Sequence, residues 1–379
     1  MNKILTVYDD VDPLNNVVSA LTLGVDEIFY VYHHDVPKNN FLNIRKVIDK
    51  YCEAKTHFIK LTDDEAQIKA IIDSNKDLII DVGGARYLSL LLFEMASKRD
   101  NRLVYYDDEE NCIKDYRSHT IITRKVFKLE IEDVLTLRGG VIQSTMHKPV
   151  SDKETKETLM QVVEKNIDTY SAFTRFITKV NSIVNSSRNL GFNTYKLSES
   201  DRNAIVSDNS YKNIEDLFKI DDKCRLRFKN RKLQEMVAVS GAFLENYLYV
   251  KLTESGLFDD VKMSTVIDFA DEKYKYPVRC EIDCLIIKDN KLLFVSCKSS
   301  KVDTEALNEI YVHNHRFGNV LSVPVLCVFE ELDRKYPSTY AKGEELGIYL
   351  VDKSSFVAND ISEVFMSILD GTYIYDEVY

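Results

Sequence analysis

Arg279-Cys280-Glu281-Ile282-Asp283-Cys284-Leu285-Ile286-Ile287 and Lys291-Leu292-Leu293-Phe294-Val295-Ser296-Cys297-Lys298 read as two strands, joined by the polar turn Lys288-Asp289-Asn290. Side chains alternate across a strand, so Phe294, Ser296 and Lys298 share one face. Glu281 and Asp283 likewise share one face of the partner strand. A charge inside an apolar strand is costly unless it is paired or bound to a metal. A metal-dependent hydrolytic site is the simplest justification for Asp283 and Lys298. A hard divalent cation takes oxygen ligands, which Mg²⁺ holds at about 2.0–2.1 Å. Asp283 can supply a carboxylate and Cys297 a backbone carbonyl. Lys298 would sit beside the attacking water and steady charge developing on a phosphate. The bland alternative is a surface hairpin whose Asp283 pairs with an arginine.

The hairpin resembles that of the PD-(D/E)XK nucleases. Upstream, Gly241-Ala242-Phe243-Leu244-Glu245-Asn246-Tyr247-Leu248 reads as a helix with a lone acid in an apolar setting. It is similar to the first helix of that fold, and the resemblance implies Glu245 as a further Mg²⁺ or Mn²⁺ ligand. Glu305, Leu307 and Asn308 follow the lysine on a helix, where the fold often places another polar helper. The family carries Asp or Glu two residues before the lysine, and this chain has Ser296. Either Glu281 or Glu245 makes up the charge, or metal affinity falls, or the domain is a degenerate nuclease.

A length of 379 residues predicts two domains with sizeable cores. No run is apolar enough to cross a membrane, and the chain opens on the strand-like Ile4-Leu5-Thr6-Val7-Tyr8, so a cytoplasmic protein without membrane partners is expected. The net charge of −11 argues against a broad nucleic-acid-binding surface and asks for a local basic groove or metals. The seven cysteines lie mostly in apolar stretches, where thiols act as small hydrophobes. His33-His34 and His313-Asn314-His315 are expected in solvated or capping roles.

The first ~145 residues alternate between strand and helix patterns, which predicts a parallel sheet with ligands at its strand C-termini. Two strand ends stand out. One carries Asp9-Asp10-Val11-Asp12-Pro13-Leu14-Asn15. The other carries Asp81-Val82-Gly83-Gly84-Ala85-Arg86. Paired glycines let backbone amides approach a phosphate, and Arg86 adds a positive fork. The strand order, this turn and the Tyr105-Tyr106 strand resemble a CARF domain, the cyclic-oligoadenylate sensor of CRISPR systems. The whole chain resembles CRISPR ancillary nucleases that join such a sensor to a restriction-endonuclease-like effector. Arg316-Phe317-Gly318 closing a helix, and Glu344 to Ile348 preceding Tyr349-Leu350-Val351, fit that order. The resemblance implies a homodimer activated by cyclic tetra-adenylate, with Asp9, Asp10, Asp12, Asn15, Gly83, Gly84, Ala85 and Arg86 at the ligand.

In the middle, Leu159, Val163, Asn166, Tyr170, Phe173, Ile177, Val180 and Val184 predict one long amphipathic helix, packed on its own chain or spanning a dimer. Gly191 to Asp222 reads as polar loop. Lys223 to Arg231 alternates strictly, so Arg225, Arg227, Lys229 and Arg231 form either a phosphate-tracking face or a solvated edge strand. The fold expected is α/β: a Rossmann-like CARF domain over 1–145, a helical linker with a basic strand over 146–235, and a restriction-endonuclease-like α/β/α domain over 236–379. The function expected is a cyclic-oligoadenylate-activated, metal-dependent nuclease acting on DNA or RNA in antiviral defence. The alternatives are a regulatory sensor with a degenerate nuclease domain, and a ring nuclease.

Overall fold

The computed structural model describes residues 2–9, 13–75, 77–83, 87–239, 241–269, 278–299, 302, 304–318, 321–332, 336–358 and 360–373. Three sheets organise them. The first has seven strands in the order Lys55–Lys60, Glu27–Tyr32, Lys3–Val7, Ile79–Asp81, Arg102–Asp107, Cys112–Asp115 and Ile121–Thr123. The first five are parallel and the last two turn back antiparallel. The strands Lys3–Val7 and Ile79–Asp81 are rich in Ile, Leu and Val because helices cover both faces. Strand order reverses between them, which opens a crevice at their C-terminal ends.

The second sheet has six strands: Tyr349–Val351, Val323–Val328, Lys291–Lys298, Val278–Lys288, Asp260–Phe269 and Gly140–Thr145. Its edge strand Gly140–Thr145 comes from the segment expected to finish the first domain, so that sheet begins before the anticipated boundary. One sheet face packs under the helices Tyr170–Ser186, Ala242–Ser255 and Ile361–Leu369. The other face packs under the helix Thr304–Phe317. On that side the apolar cluster runs without a break from Phe294, Leu285 and Ile282 into Val104, Tyr106 and Ile113 of the first sheet. The two sheets therefore share core.

The single long middle helix is two helices, Lys153–Asn166 and Tyr170–Ser186, separated by a short 3₁₀ turn at Ile167–Thr169. Asn166 explains the break. It is buried, its amide donates to the Val162 carbonyl at 2.7 Å, and its oxygen accepts from Asn213 at 3.1 Å. Such local bonding competes with the helical ladder. Phe173, Phe176, Ile177 and Val180 are buried against their own chain rather than left for a partner. The segment read as loop contains the helix Glu199–Val206 and part of a third sheet, ordered Phe218–Ile220, Arg225–Phe228, Thr194–Lys196 and Arg188–Gly191. These strands are three or four residues long, too short for an alternating pattern to stand out.

Candidate active site

The hairpin at the centre of the six-stranded sheet is built by its turn. Asp289 and Asn290 both have positive φ, 49° and 65°, which suits a two-residue turn that matches strand twist. Pairing runs from Lys288 opposite Lys291 to Cys284 opposite Val295, then stops. Beyond that point a side chain takes over the ladder. Asp283 Oδ2 accepts the Cys297 backbone N–H at 2.7 Å and the Ser296 hydroxyl at 3.3 Å. Among the described residues no arginine holds it; Arg279 pairs instead with Asp268 at 2.7 Å. Oδ1 of Asp283 takes no hydrogen bond among the described residues. Burial raises the Asp283 pKa, against the Cys297 amide and the nearby Lys298 charge.

Where the strands part, a cleft of about 220 Å³ opens, lined by Glu281, Asp283, Ser296, Lys298, Glu309 and His313. The four hairpin residues singled out from sequence thus meet in one cavity. Glu245 approaches from the helix Ala242–Ser255. That helix starts at Gly241, with φ 85°, where a β-carbon would stand 3.0 Å from Glu245 Oε1. A residue larger than glycine would strain the turn and push on the carboxylate. Glu245 is 8% exposed and accepts a 3.0 Å hydrogen bond from Ser264. Burial, then the Asp283 charge, pushes its pKa up to about 7. Glu281 is also raised, first by burial and then by Asp283.

Cys297 contributes its backbone amide to Asp283. Its thiol lies in the apolar core beside Cys284 and Cys327, and burial holds it well above the ordinary range. Among the described residues, no three His, Cys, Asp or Glu side chains gather as a metal cage. The donor chemistry still fits a hard cation. Glu245 and Asp283 are oxygen donors; Glu245 is buried and Asp283 half-buried, and the Asp283 charge raises the Glu245 carboxyl while Glu309 raises Asp283. An added divalent charge relieves that repulsion.

The helper residues on the helix Thr304–Phe317 differ from those expected. Leu307 is core, while Glu305 and Asn308 face solvent. Glu309 and His313, one turn apart, line the cleft. His313 is buried rather than solvated, and burial lowers its pKa. The signal was available: Ala306, Ile310, His313 and Phe317 follow the spacing of a buried helical face.

The basic strand lies in the third sheet, away from the cleft. Leu226 and Phe228 are its buried face. The strand is only Arg225–Phe228, not the whole stretch to Arg231: Lys229 follows it and Arg231 opens the helix Arg231–Ala238, capped by Asn230. Most of the charge is spent locally: Arg225 pairs with Asp221 at 2.6 Å, Lys229 with Glu154 at 3.2 Å, and Arg231 with Glu235 at 3.0 Å. Arg227 has no ion pair among the described residues. Sequence reading missed a different groove of about 590 Å³, whose lining includes Met146, His147, Lys148, Lys232, Ala242 and Asn246. It runs beside the Glu245 helix. Lys232 lies within electrostatic reach of Glu245, and His147 within reach of Glu281.

In the first sheet, Asp81 ends its strand at the point where strand order reverses. It is buried, accepts the Gly83 N–H at 2.9 Å and the Asn16 amide at 3.3 Å, and burial raises its pKa. The Gly83 amide expected at a phosphate is therefore already donated to Asp81. Asp9 is half-buried, and Asn15 Oδ1 is buried with no partner among the described residues. Asp10, Asp12, Gly84, Ala85 and Arg86 lie outside the described residues.

Residues 234–314 match the family model of the Card1-like endonuclease domain. That span takes in Glu245, both strands of the hairpin and Glu309. Among solved structures, the fold matches protein VC1899 from Vibrio cholerae, with a TM-score of 0.78 and 15% identity over 98% of both chains. It also matches Can2 from Sulfobacillus thermosulfidooxidans, solved in complex with cyclic tetra-adenylate. There the TM-score is 0.72 and the identity 14%, over 96% of this chain and 99% of that one. No curated protein sequence matches the chain. Both likenesses span the sensor-like sheet as well as the endonuclease-like one. No helix of the described residues is long and apolar enough to cross a membrane.

Proposed function

We propose that this chain is a cyclic-oligoadenylate-activated, metal-dependent nuclease that cleaves nucleic-acid phosphodiesters in CRISPR antiviral defence. The observation that carries the reading is the parted hairpin. It presents Asp283 and Lys298 to one cleft, inside a span that matches an endonuclease domain model. The full-length likeness to Can2, a protein solved with cyclic tetra-adenylate, supports that compound as activator. The activator would sit at the crevice between Lys3–Val7 and Ile79–Asp81, across the two-fold axis of a cytoplasmic homodimer.

Glu245 and Asp283, with the Cys297 carbonyl, would hold Mg²⁺ or Mn²⁺. The chemistry a divalent cation supplies in such a site is neutralisation of phosphate charge and activation of water. Asp283 is fixed for this role by the Cys297 amide, so its free oxygen is aimed without a rotamer search. The Lys298 ammonium faces the same cleft and would offset charge developing on the phosphate. The groove with His147, Lys148 and Lys232 would carry the substrate backbone towards these acids.

The test is cleavage of labelled DNA and RNA, single- and double-stranded, with Mn²⁺ or Mg²⁺, with and without cyclic tetra-adenylate. Cleavage that requires both metal and activator is the expected result. Ser296 favours one other reading, a sensor whose nuclease domain is inactive. Activator binding without cleavage of any substrate would establish that reading instead. Loss of the activator itself on incubation would point to a ring nuclease.

A further inference from the structure

We propose that Glu309 supplies a third cation-binding carboxylate, beside Glu245 and Asp283, in place of the one that Ser296 cannot give, delivered from a helix rather than from the strand. The inference rests on the metal-dependent reading above. A strand position two residues before Lys298 faces the cleft, and Ser296 there is 7% exposed and spends its hydroxyl on Asp283. Its neutral oxygen adds no charge. Directly across the cavity the helix Thr304–Phe317 turns Glu309 towards Asp283 and Lys298.

Two further observations support the assignment. Among the described residues Glu309 has no other ion-pair partner than Lys298. Its Oε2 lies 3.6 Å from Lys298 Nζ, too long for a hydrogen bond, and the side chain is 55% exposed. It can therefore swing to a cation without breaking a tight contact. His313 lies one helical turn on, on the same face. Its ring is 9% exposed, lines the cleft, and makes no hydrogen bond among the described residues. Buried polar groups are almost always hydrogen-bonded, and the exceptions call for an occupant. A cleft wall with an unmet imidazole beside a loosely held carboxylate suits a polar ligand, not a closing core. Glu281 is the competing acid. It lines the same cleft but is exposed at the far end of its strand, within reach of His147 rather than in an ion pair with Lys298.

The experiment is titration of the full-length protein with Mn²⁺ alone, followed by electron paramagnetic resonance, without substrate. The variants are Asp283→Ala, Glu309→Gln, Glu281→Gln and the double change Ser296→Glu with Glu309→Gln. Loss of groups that merely support a metal ligand costs roughly 10–100-fold in affinity, so losing Glu309 should weaken Mn²⁺ by about tenfold or more. Glu281→Gln should change it less than about twofold, and the double variant should recover most of the loss because the charge returns to the strand. Glu309 is exposed, so its amide variant should fold, and a melting curve checks that. If Glu309→Gln binds Mn²⁺ like the parent while Asp283→Ala does not, the assignment of Glu309 is overturned and the nuclease reading stands. If the parent and Asp283→Ala bind alike, the metal reading fails, and this inference fails with it.

Discussion

The two ends of one hairpin follow opposite rules. At the closed end, Asn290 is 1% exposed and every side-chain polar atom is used. Its oxygen accepts the Leu129 N–H and its amide donates to the Phe127 carbonyl, both at 2.9 Å. Lys128 bridges Asp259 and Asp289 at 2.7 and 3.0 Å. At the open end, Glu245, Glu281 and Asp283 crowd together, each with its pKa raised. One end is locally consistent, and the other violates the same rules at what we read as the reactive site. Native proteins concentrate such violations at functional sites and compensate elsewhere. Here the compensation comes from residues 127–129, the segment that leads out of the first sheet, so the anchor of the site is a contact between the two sheets' segments.

The largest effect should fall at the open end. Asp283→Ala and Lys298→Ala should each lower cleavage by roughly a thousandfold, in line with removal of a preorganised electrostatic group. Cyclic tetra-adenylate binding, followed by calorimetry, should be unchanged. Near-normal cleavage by either variant would remove the site.

The closed end should respond in stability instead. Asn290→Ala leaves the buried Leu129 N–H and Phe127 C=O unmet and removes a residue type suited to the left-handed backbone of the turn. Together these should cost about 3 kcal/mol in urea unfolding. Asn290→Gly keeps the turn conformation and loses only the bonds, so it should cost less. Equal stability of the alanine variant and the parent would show that this clamp does not anchor the hairpin.

The contrast between the two ends also explains what could be read from sequence. Strands, turn and cleft-facing alternation were legible because the hairpin is apolar, regular and ends in Asp289-Asn290. The Leu14–Leu23 and Asp64–Ser74 helices that flank the first sheet were legible for the same local reasons. What escaped depends on long-range partners. Glu309 and His313 matter only because their helix crosses the open strand ends. The charges of Arg225, Lys229 and Arg231 are cancelled by Asp221, Glu154 and Glu235, one of them distant in sequence. The Asn166 break needs Asn213, which no local window contains.

A smaller effect separates the ends by pH. In the metal-free protein the Glu245 carboxyl is raised from its ordinary 4.5 to about 7 by burial and by Asp283. Below the lower value it is neutral in both folded and unfolded chains, and its burial costs nothing. As pH rises, the unfolded chain releases the proton first, so stability falls by about 1.4 kcal/mol per pH unit until the folded carboxyl also ionises. The total is about 3 kcal/mol at most, lost between about pH 4.5 and 7. Asp283 adds in the same direction. Urea unfolding with a chelator at pH 5, 6, 7 and 8 should show this fall in the parent and a flatter profile in Glu245→Gln. Parallel profiles would mean that Glu245 does not carry the strain of the open end.

The smallest effect is expected where sequence reading placed the largest basic surface. A phosphate contact contributes about 0.7–0.9 to the logarithmic salt slope of binding, because each contact releases counterions. Arg227 and Lys229 were the natural pair to test. Lys229 is already held by Glu154 and by the Thr158 hydroxyl at 2.9 Å, and its sheet does not line the cleft. Changing both to Ala should therefore leave the slope within about half a unit of the parent. Lys148 and Lys232, in the groove beside Glu245, make no ion pair among the described residues; Lys232 Nζ donates only to the Lys148 carbonyl. Changing those two to Ala should flatten the slope by about 1.5 and weaken all sequences alike, since backbone contacts do not read bases. The measurement is fluorescence anisotropy of a labelled strand across a salt series, with Asp283→Ala as background to prevent cleavage. If the Arg227 and Lys229 pair flattens the slope and the groove pair does not, the substrate runs over the third sheet, and the open end of the hairpin is approached from the opposite side.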